Sequence, residues 1–159
     1  MSSWGTALAW GLSVAASALW VLWAGALVLY DARYRRLPNS LTVPAAVLAV
    51  LSAFADSWLN FARFSPWWGV FWPALYFALT FVRSGIGGGD IKLALPLGLA
   101  TSAFAGPLGV LLAIALASVI SLAWATARKQ RDCPHGPGML AASLVVIACS
   151  PCGPASWLL

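Results

Sequence analysis

Long apolar runs separated by short polar breaks make up almost the whole chain. A helix that crosses a membrane needs about 20 mostly apolar residues. By this criterion the pattern predicts six spans, which are Gly5–Tyr30, Leu41–Asn60, Pro66–Val82, Asp90–Phe104, Leu108–Ala127 and Gly138–Leu158. The runs are continuous and lack the alternation of barrel strands. The predicted fold is therefore an all-α membrane protein, a polytopic bundle of about six transmembrane helices that forms a single domain over residues 1–159.

Two of the boundaries carry local signals. The fourth and fifth spans are separated only by a short "AGPLG" segment, where Gly106-Pro107 predicts a turn. The first span lacks a basic leading region and is too long for the apolar core of a signal peptide. We therefore expect it to be retained as a membrane helix.

Composition agrees with a membrane location. The 159 residues are 62% hydrophobic and only 8% charged, whereas soluble domains carry roughly 25% charged residues. The net charge of +5 comes from basic residues scattered in short clusters between apolar runs. Such clusters predict membrane topology and lipid contacts, and they predict no nucleic-acid partner.

The distribution of basic residues predicts the orientation. With six spans, three breaks face the same side of the membrane and contain eight of the nine basic residues, Arg33, Arg35, Arg36, Arg83, Lys92, Arg128, Lys129 and Arg131. The opposite side has only Arg63. Basic loops remain in the cytoplasm. We therefore expect a multi-pass protein of the cell inner (cytoplasmic) membrane with its N-terminus outside.

Carboxylates are scarce, and two of them share one membrane edge. The chain has no Glu, and its acids are Asp31, Asp56, Asp90 and Asp132. Two predicted crossings separate Asp31 from Asp90, so both are expected at the cytoplasmic edge. Asp56 is about 25 Å up the second span at 1.5 Å per residue, and Asp132 is expected to be a solvated loop charge. Ionisable residues against apolar runs are usually functional.

A pair of aspartates implies a specific chemistry. Two carboxyl groups that share a site do not both ionise readily, so one holds a proton while the other acts as a base. The base activates water against a peptide carbonyl, and the acid protonates the leaving group. Helix dipoles favour Asp31 as the resting acid and Asp90 as the resting base. The neighbouring Arg33, Arg35 and Arg36 act against that assignment for Asp31.

Three stretches resemble the type IV prepilin peptidases. "YDARYRRLPN" (30–39) is similar to their D-x-x-x-R-x-[IL]-P-N element, and "GGGDIKL" (87–93) to their G-x-G-D-x-K-L element. "CPHGPGML" (133–140) is similar to the P-F-G-P stretch that follows a basic loop, with His135 where the family usually has Phe. The motifs cover about a fifth of the chain, and the predicted six-span arrangement is similar to that of the family throughout.

The resemblance implies an intramembrane aspartic endopeptidase of the G-x-G-D type with Asp31 and Asp90 as its catalytic pair. It implies prepilin or pseudopilin substrates, and no metal or cofactor. The paired CxxC motifs of the larger members, which also methylate the new N-terminus, are absent from the sequence. The chain therefore resembles the short, peptidase-only branch associated with Flp-type (tight-adherence) pili. Its oligomeric state is not predicted.

Other residues around the motifs are candidates for binding substrate. We predict that Gly87, Gly88 and Gly89 form a hinge that admits an extended substrate backbone. Lys92 and Arg36 are expected to assist near the carboxylates. Asn39 or Ser40 is expected to cap the second helix, and contact of Asn39 with substrate is a secondary expectation. His135 has no ligand set around it, so its role stays open. Cys149 and Cys152 are candidates for a disulfide near the outer leaflet.

Two other functions fit parts of the pattern. A preflagellin-type leader peptidase would use the same chemistry on a different substrate. A small proton-coupled transporter component would use Asp31 and Asp90 as a relay, but it predicts acids near the middle of the bilayer.

Overall fold

The computed structural model describes residues 3–34, 36–59, 64–82, 87–128 and 135–150, with side chains in the first helix from residue 19 onward. Its helices are α1 (Ser3–Tyr34), α2 (Asn39–Leu59), a 3₁₀ helix (Pro66–Val70) that leads into α3 (Phe71–Val82), α4 (Gly88–Arg128) and α5 (Gly136–Cys149). Every element in these ranges is helical, which confirms the all-α class.

Helix α4 is broken at Gly106, where the sequence predicts a turn. Gly106 has φ 71° and ψ −171°, a backbone conformation that is essentially restricted to glycine. A Cβ atom at Gly109 would lie 3.8 Å from Thr101 Cγ2, although eight residues of straight helix rise about 12 Å. The chain therefore folds back at Gly106, and α4 consists of two legs.

The legs of α4 pack against antiparallel neighbours. In the first leg, Ser102 Oγ donates to the Ser65 carbonyl at 2.8 Å, and Gly98 contacts the backbone of Gly69 in the 3₁₀ helix. Along the second leg, Gly109 lies near Val146 of α5, whereas Ser121 lies near Gly138. These contacts define two ends of the bundle, one at the Gly106 turn and one at the opposite ends of both legs.

The core lies where α1, α3, α4 and α5 meet. Its largest fully buried apolar side chains include Leu27, Trp72, Leu93, Leu97 and Met139. Large apolar side chains also cover the outside of the first two helices, which suits contact with lipid tails.

Among the described residues, two helices are long and apolar enough to cross a membrane, Asn39–Leu59 and Gly88–Arg128. Gly136–Cys149 is a shorter apolar helix. The count of six spans is therefore not confirmed and stays a prediction. The third predicted span begins as a 3₁₀ helix, and the end of the sixth lies outside the described residues.

Candidate active site

Asp31 is a buried carboxylate in the last turn of α1. Its side chain is only 5% exposed, and burying such a group is costly unless it has a partner. The backbone N–H of Gly136 donates to Asp31 Oδ2 at 3.1 Å. Gly136 is the first residue of α5, and N–H groups in a first helical turn have no partner within the helix. The start of α5 therefore supplies the donor that Asp31 needs.

Asp90 occupies the first turn of α4 and is partly buried. Its backbone N–H donates to the Gly87 carbonyl at 3.0 Å, and its carboxylate accepts a hydrogen bond from the Gly87 backbone. A side chain that reaches back to the residue before the helix is one half of a capping box, since Gly87 has no side chain to return the bond. The cap fixes Asp90 relative to the glycine segment.

The fold brings Asp31 and Asp90 together from two different helices. Their carboxyl groups are close enough to interact electrostatically, although 59 positions separate them in the sequence. Leu37 lies beside both helix starts, since a Cβ at Gly89 would be 3.0 Å from Leu37 Cβ and one at Gly136 would be 3.5 Å from Leu37 Cδ2. We call the region around Asp31, Asp90, Leu37 and the starts of α4 and α5 the site end of the bundle.

The polar candidates from the sequence also lie at the site end. Lys92 Nζ donates to Asn39 Oδ1 at 2.8 Å, which joins the first turns of α4 and α2. The Asn39 side chain thus binds Lys92, whereas the sequence favoured a capping role for it. Arg36 is exposed in the bend between α1 and α2. Contact of these residues with a substrate stays a prediction.

The glycine segment opens toward the surface. Gly87 and Gly88 are exposed, and Gly89 is partly buried. A Cβ at Gly88 would meet nothing within 4 Å, whereas one at Gly87 would lie 3.4 Å from Asp90 Oδ2. A Cβ at position 89 would therefore press on Leu37, one at position 87 would lie in ordinary contact with Asp90, and one at position 88 would meet no neighbour.

A family model described as the type IV leader peptidase family matches residues 18–122, which are 105 of the 159 residues. The protein belongs to this family. The matched segment contains both Asp31 and Asp90 and ends before His135. Searches of curated proteins and of solved structures found no match.

Membership in the type IV leader peptidase family establishes the general function. The protein is a protease of the leader-peptidase kind. Together with its long apolar helices, family membership indicates a membrane protein.

Sequence reasoning missed part of the surroundings of this leader peptidase's aspartates. His135 lies directly before Gly136 and hydrogen-bonds Tyr76 and Ser121 through its two ring nitrogens. Leu37 also escaped notice as a neighbour of both helix starts. The signal available was the "HGPG" stretch, where glycines bracket the start of a helix. The partner hydroxyls could not be found, because they come from other helices.

The remaining acids and cysteines lie elsewhere or beyond the described residues. Asp56 belongs to the last turns of α2, far along the helix from Asn39. Asp132 and Cys152 lie outside the described residues. Cys149 is an exposed free thiol at the end of α5, so its disulfide with Cys152 stays a prediction.

Proposed function

We propose that the protein is an aspartic endopeptidase that removes the leader peptides of prepilins or pseudopilins. The observation that carries this proposal is the meeting of Asp31 and Asp90 at one end of the bundle. Two carboxyl groups at one site can divide the roles of base and acid. The family match supports a leader peptidase in general, and the pair of carboxyl groups supports the aspartic type.

The proposed reaction needs only water and the two carboxyl groups. One carboxylate removes a proton from water as the water oxygen attacks the scissile carbonyl carbon. The other carboxyl group donates its proton to the amide nitrogen as the carbon–nitrogen bond breaks. The products are a free leader carboxylate and a new amino terminus on the pilin.

The glycine segment gives the substrate a way to reach the carboxyl groups. A peptide bond inside a helix is protected by its hydrogen bonds and packing, so the substrate must be extended at the cleaved bond. Exposed Gly87 and Gly88 have no side chains that block such a strand, and N–H groups in the first turn of α4 can pair with its carbonyls. We propose that Gly87–Gly89 form the entrance, with Lys92, Asn39 and Arg36 at its edge.

The location follows from the charge pattern of the sequence. The basic residues of three breaks favour a cytoplasmic position for the site end. We therefore propose a multi-pass protein of the inner membrane with its N-terminus outside, which cleaves substrates at the cytoplasmic face. Prepilin leaders are expected there before the pilin is exported.

The test is cleavage of a panel of candidate prepilins by the full chain in membranes. Asp31→Asn and Asp90→Asn should each abolish cleavage, because each removes one of the two carboxyl groups that take up or donate a proton in the reaction. Asp56→Asn is the matched control, since it makes the same change far from the site end, and it should cleave at the wild-type rate. Wild-type cleavage by either Asp31→Asn or Asp90→Asn removes that residue from the pair. Cleavage of preflagellins but not prepilins would change the substrate and keep the chemistry.

A further inference from the structure

Three side chains at the site end form a hydrogen-bonded chain that the proposed reaction does not use. The Tyr76 hydroxyl lies 2.7 Å from His135 Nε2, and Ser121 Oγ lies 2.6 Å from His135 Nδ1. Tyr76 belongs to α3 and Ser121 to the second leg of α4. The imidazole therefore ties the start of α5 to two other helices.

The hydrogen bonds to Tyr76 and Ser121 determine how the imidazole is held. Burial lowers the pKa of His135, so its ring is neutral and has one donor and one acceptor nitrogen. One of the two hydroxyls must therefore donate to the ring while the other accepts from it. Both nitrogens are occupied, which leaves the imidazole neither free to rotate nor free to bind a metal ion.

His135 is linked to the Asp31 carboxylate through the next residue in the sequence. His135 precedes Gly136, whose N–H binds Asp31 Oδ2 at 3.1 Å. The His135 carbonyl accepts the N–H of Met139 at 3.1 Å, which is the first hydrogen bond of α5. A shift of the imidazole would therefore move the N–H that Asp31 accepts.

Two glycines make this close fit possible. A Cβ at Gly136 would lie 2.8 Å from Asp31 Oδ2, and one at Gly138 would lie 2.6 Å from Ser121 Oγ. Both distances are too short for a real side chain. The start of α5 thus packs closely against the Asp31 carboxylate on one side and against Ser121 on the other.

Tyr76 also lies near the second carboxylate. It interacts electrostatically with Asp90 and packs beside His135 with ring centroids 5.7 Å apart. The hydrogen-bonded side chains thus extend from Gly136 beside Asp31 to Tyr76 near Asp90.

We propose that His135 is a positioning residue, which Tyr76 and Ser121 hold in place so that Gly136 keeps the Asp31 carboxylate oriented for the reaction. This inference rests on the proposed catalytic role of Asp31. It assigns a role to the position that the sequence left open.

The test compares kcat and KM of the full chain acting on one prepilin in proteoliposomes. Tyr76→Phe and Ser121→Ala each remove one hydroxyl and little volume, so both should remain folded. We expect kcat to fall about tenfold in each, and about 10²-fold in His135→Phe, which is the scale of a small misplacement of reacting groups. KM should stay within about twofold, because the chain positions a carboxylate and does not bind substrate.

Matched controls separate positioning from general disturbance. Tyr34→Phe removes an exposed tyrosine hydroxyl, and Ser118→Ala removes a hydroxyl one turn before Ser121 that bonds its own helix at Ile114. Both should have the wild-type kcat. His135→Gln keeps an amide able to bind one hydroxyl, and its kcat should lie between those of wild type and His135→Phe.

A double variant tests whether Tyr76 and His135 act as one unit. Tyr76→Phe combined with His135→Phe should be no slower than His135→Phe alone, because both changes interrupt the same connection. Multiplied losses in the double variant, or wild-type kcat in both Tyr76→Phe and Ser121→Ala, would overturn the inference. Asp31→Asn is measured in the same assay. If it is inactive while the hydroxyl variants match wild type, only this inference fails, whereas an active Asp31→Asn refutes the proposed function itself.

Discussion

Glycine serves two different purposes in two regions of this molecule. At the crossing of the 3₁₀ helix with α4, Gly69 and Gly98 are buried and touch through their backbones. At the start of α4, Gly87 and Gly88 are exposed, and Gly88 has open space around it. The first pair lets two elements approach, and the second leaves room beside a carboxylate. Composition does not distinguish these uses, but the surroundings do.

The crossing should be the more sensitive region for folding. Replacing Gly69 or Gly98 with Ala places a Cβ on backbone atoms of the other element, and backbone cannot move aside as a side chain can. We expect a loss of about 3 kcal/mol of stability, the upper part of the usual range for overpacking. Thermal unfolding in detergent measures it, with Gly25→Ala as control because a Cβ there meets nothing within 4 Å. Melting temperatures equal to wild type in both variants would show that the crossing is not tight.

The entrance should instead be sensitive in turnover. Gly89→Val would press on Leu37, Gly87→Val would add a branched side chain in contact with the Asp90 carboxylate, and both would obstruct an extended strand. We expect the cleavage rate to fall about 10²-fold at equal membrane abundance, with the melting temperature little changed. Wild-type rates for both variants would make the glycines a simple linker and remove the proposed entrance.

A smaller effect is expected at the edge of the entrance. The hydrogen bond between Lys92 and Asn39 is exposed, and bonds of that kind contribute about 1 kcal/mol or less. Lys92→Ala and Asn39→Ala should therefore leave melting temperatures nearly unchanged. If both residues contact substrate, KM should rise a few-fold while kcat is retained. An unchanged KM in both variants would limit their role to joining two helices.

Chelators should leave the cleavage rate unchanged. The proposed reaction uses two carboxyl groups and water, without a metal ion. Cleavage rates should therefore be the same with and without EDTA, measured on purified protein after prolonged incubation. A loss of activity that added zinc restores would contradict the two-carboxylate reaction.

The sequence was sufficient to bring the two aspartates together but not to describe what surrounds them. Counting crossings predicted Asp31 and Asp90 at one membrane edge, because alternating spans fix on which side each break emerges. The two carboxyl groups do interact electrostatically, while the six-span count and the membrane edge stay predictions. The turn at Gly106 was also predictable, since a Gly-Pro pair between apolar runs is a local signal. The turn rests on a signal that a short stretch carries by itself, whereas the shared edge rests on the pattern of whole apolar spans.

The parts that escaped prediction depend on contacts between distant helices. His135 looked like a lone residue in a loop, because its partners lie 59 and 14 positions away in the chain. The close contact of Gly69 with Gly98 also joins two elements and leaves no mark on either segment alone. The 3₁₀ start of the third span was missed because periodicity does not distinguish it from an α-helical turn.

We propose that Asp31 and Asp90 act together on one peptide bond. A leader peptide whose cleaved bond is replaced by a non-hydrolysable hydroxyethylene group tests this most directly, since its hydroxyl occupies the place of the attacking water between the two carboxyl groups. Analogues of a transition state bind at least about 10²-fold more tightly than substrates. We expect tight binding to wild type and to Asp56→Asn, and a loss of about 10²-fold or more in both Asp31→Asn and Asp90→Asn. Equal binding to wild type and to either of those two variants would contradict it.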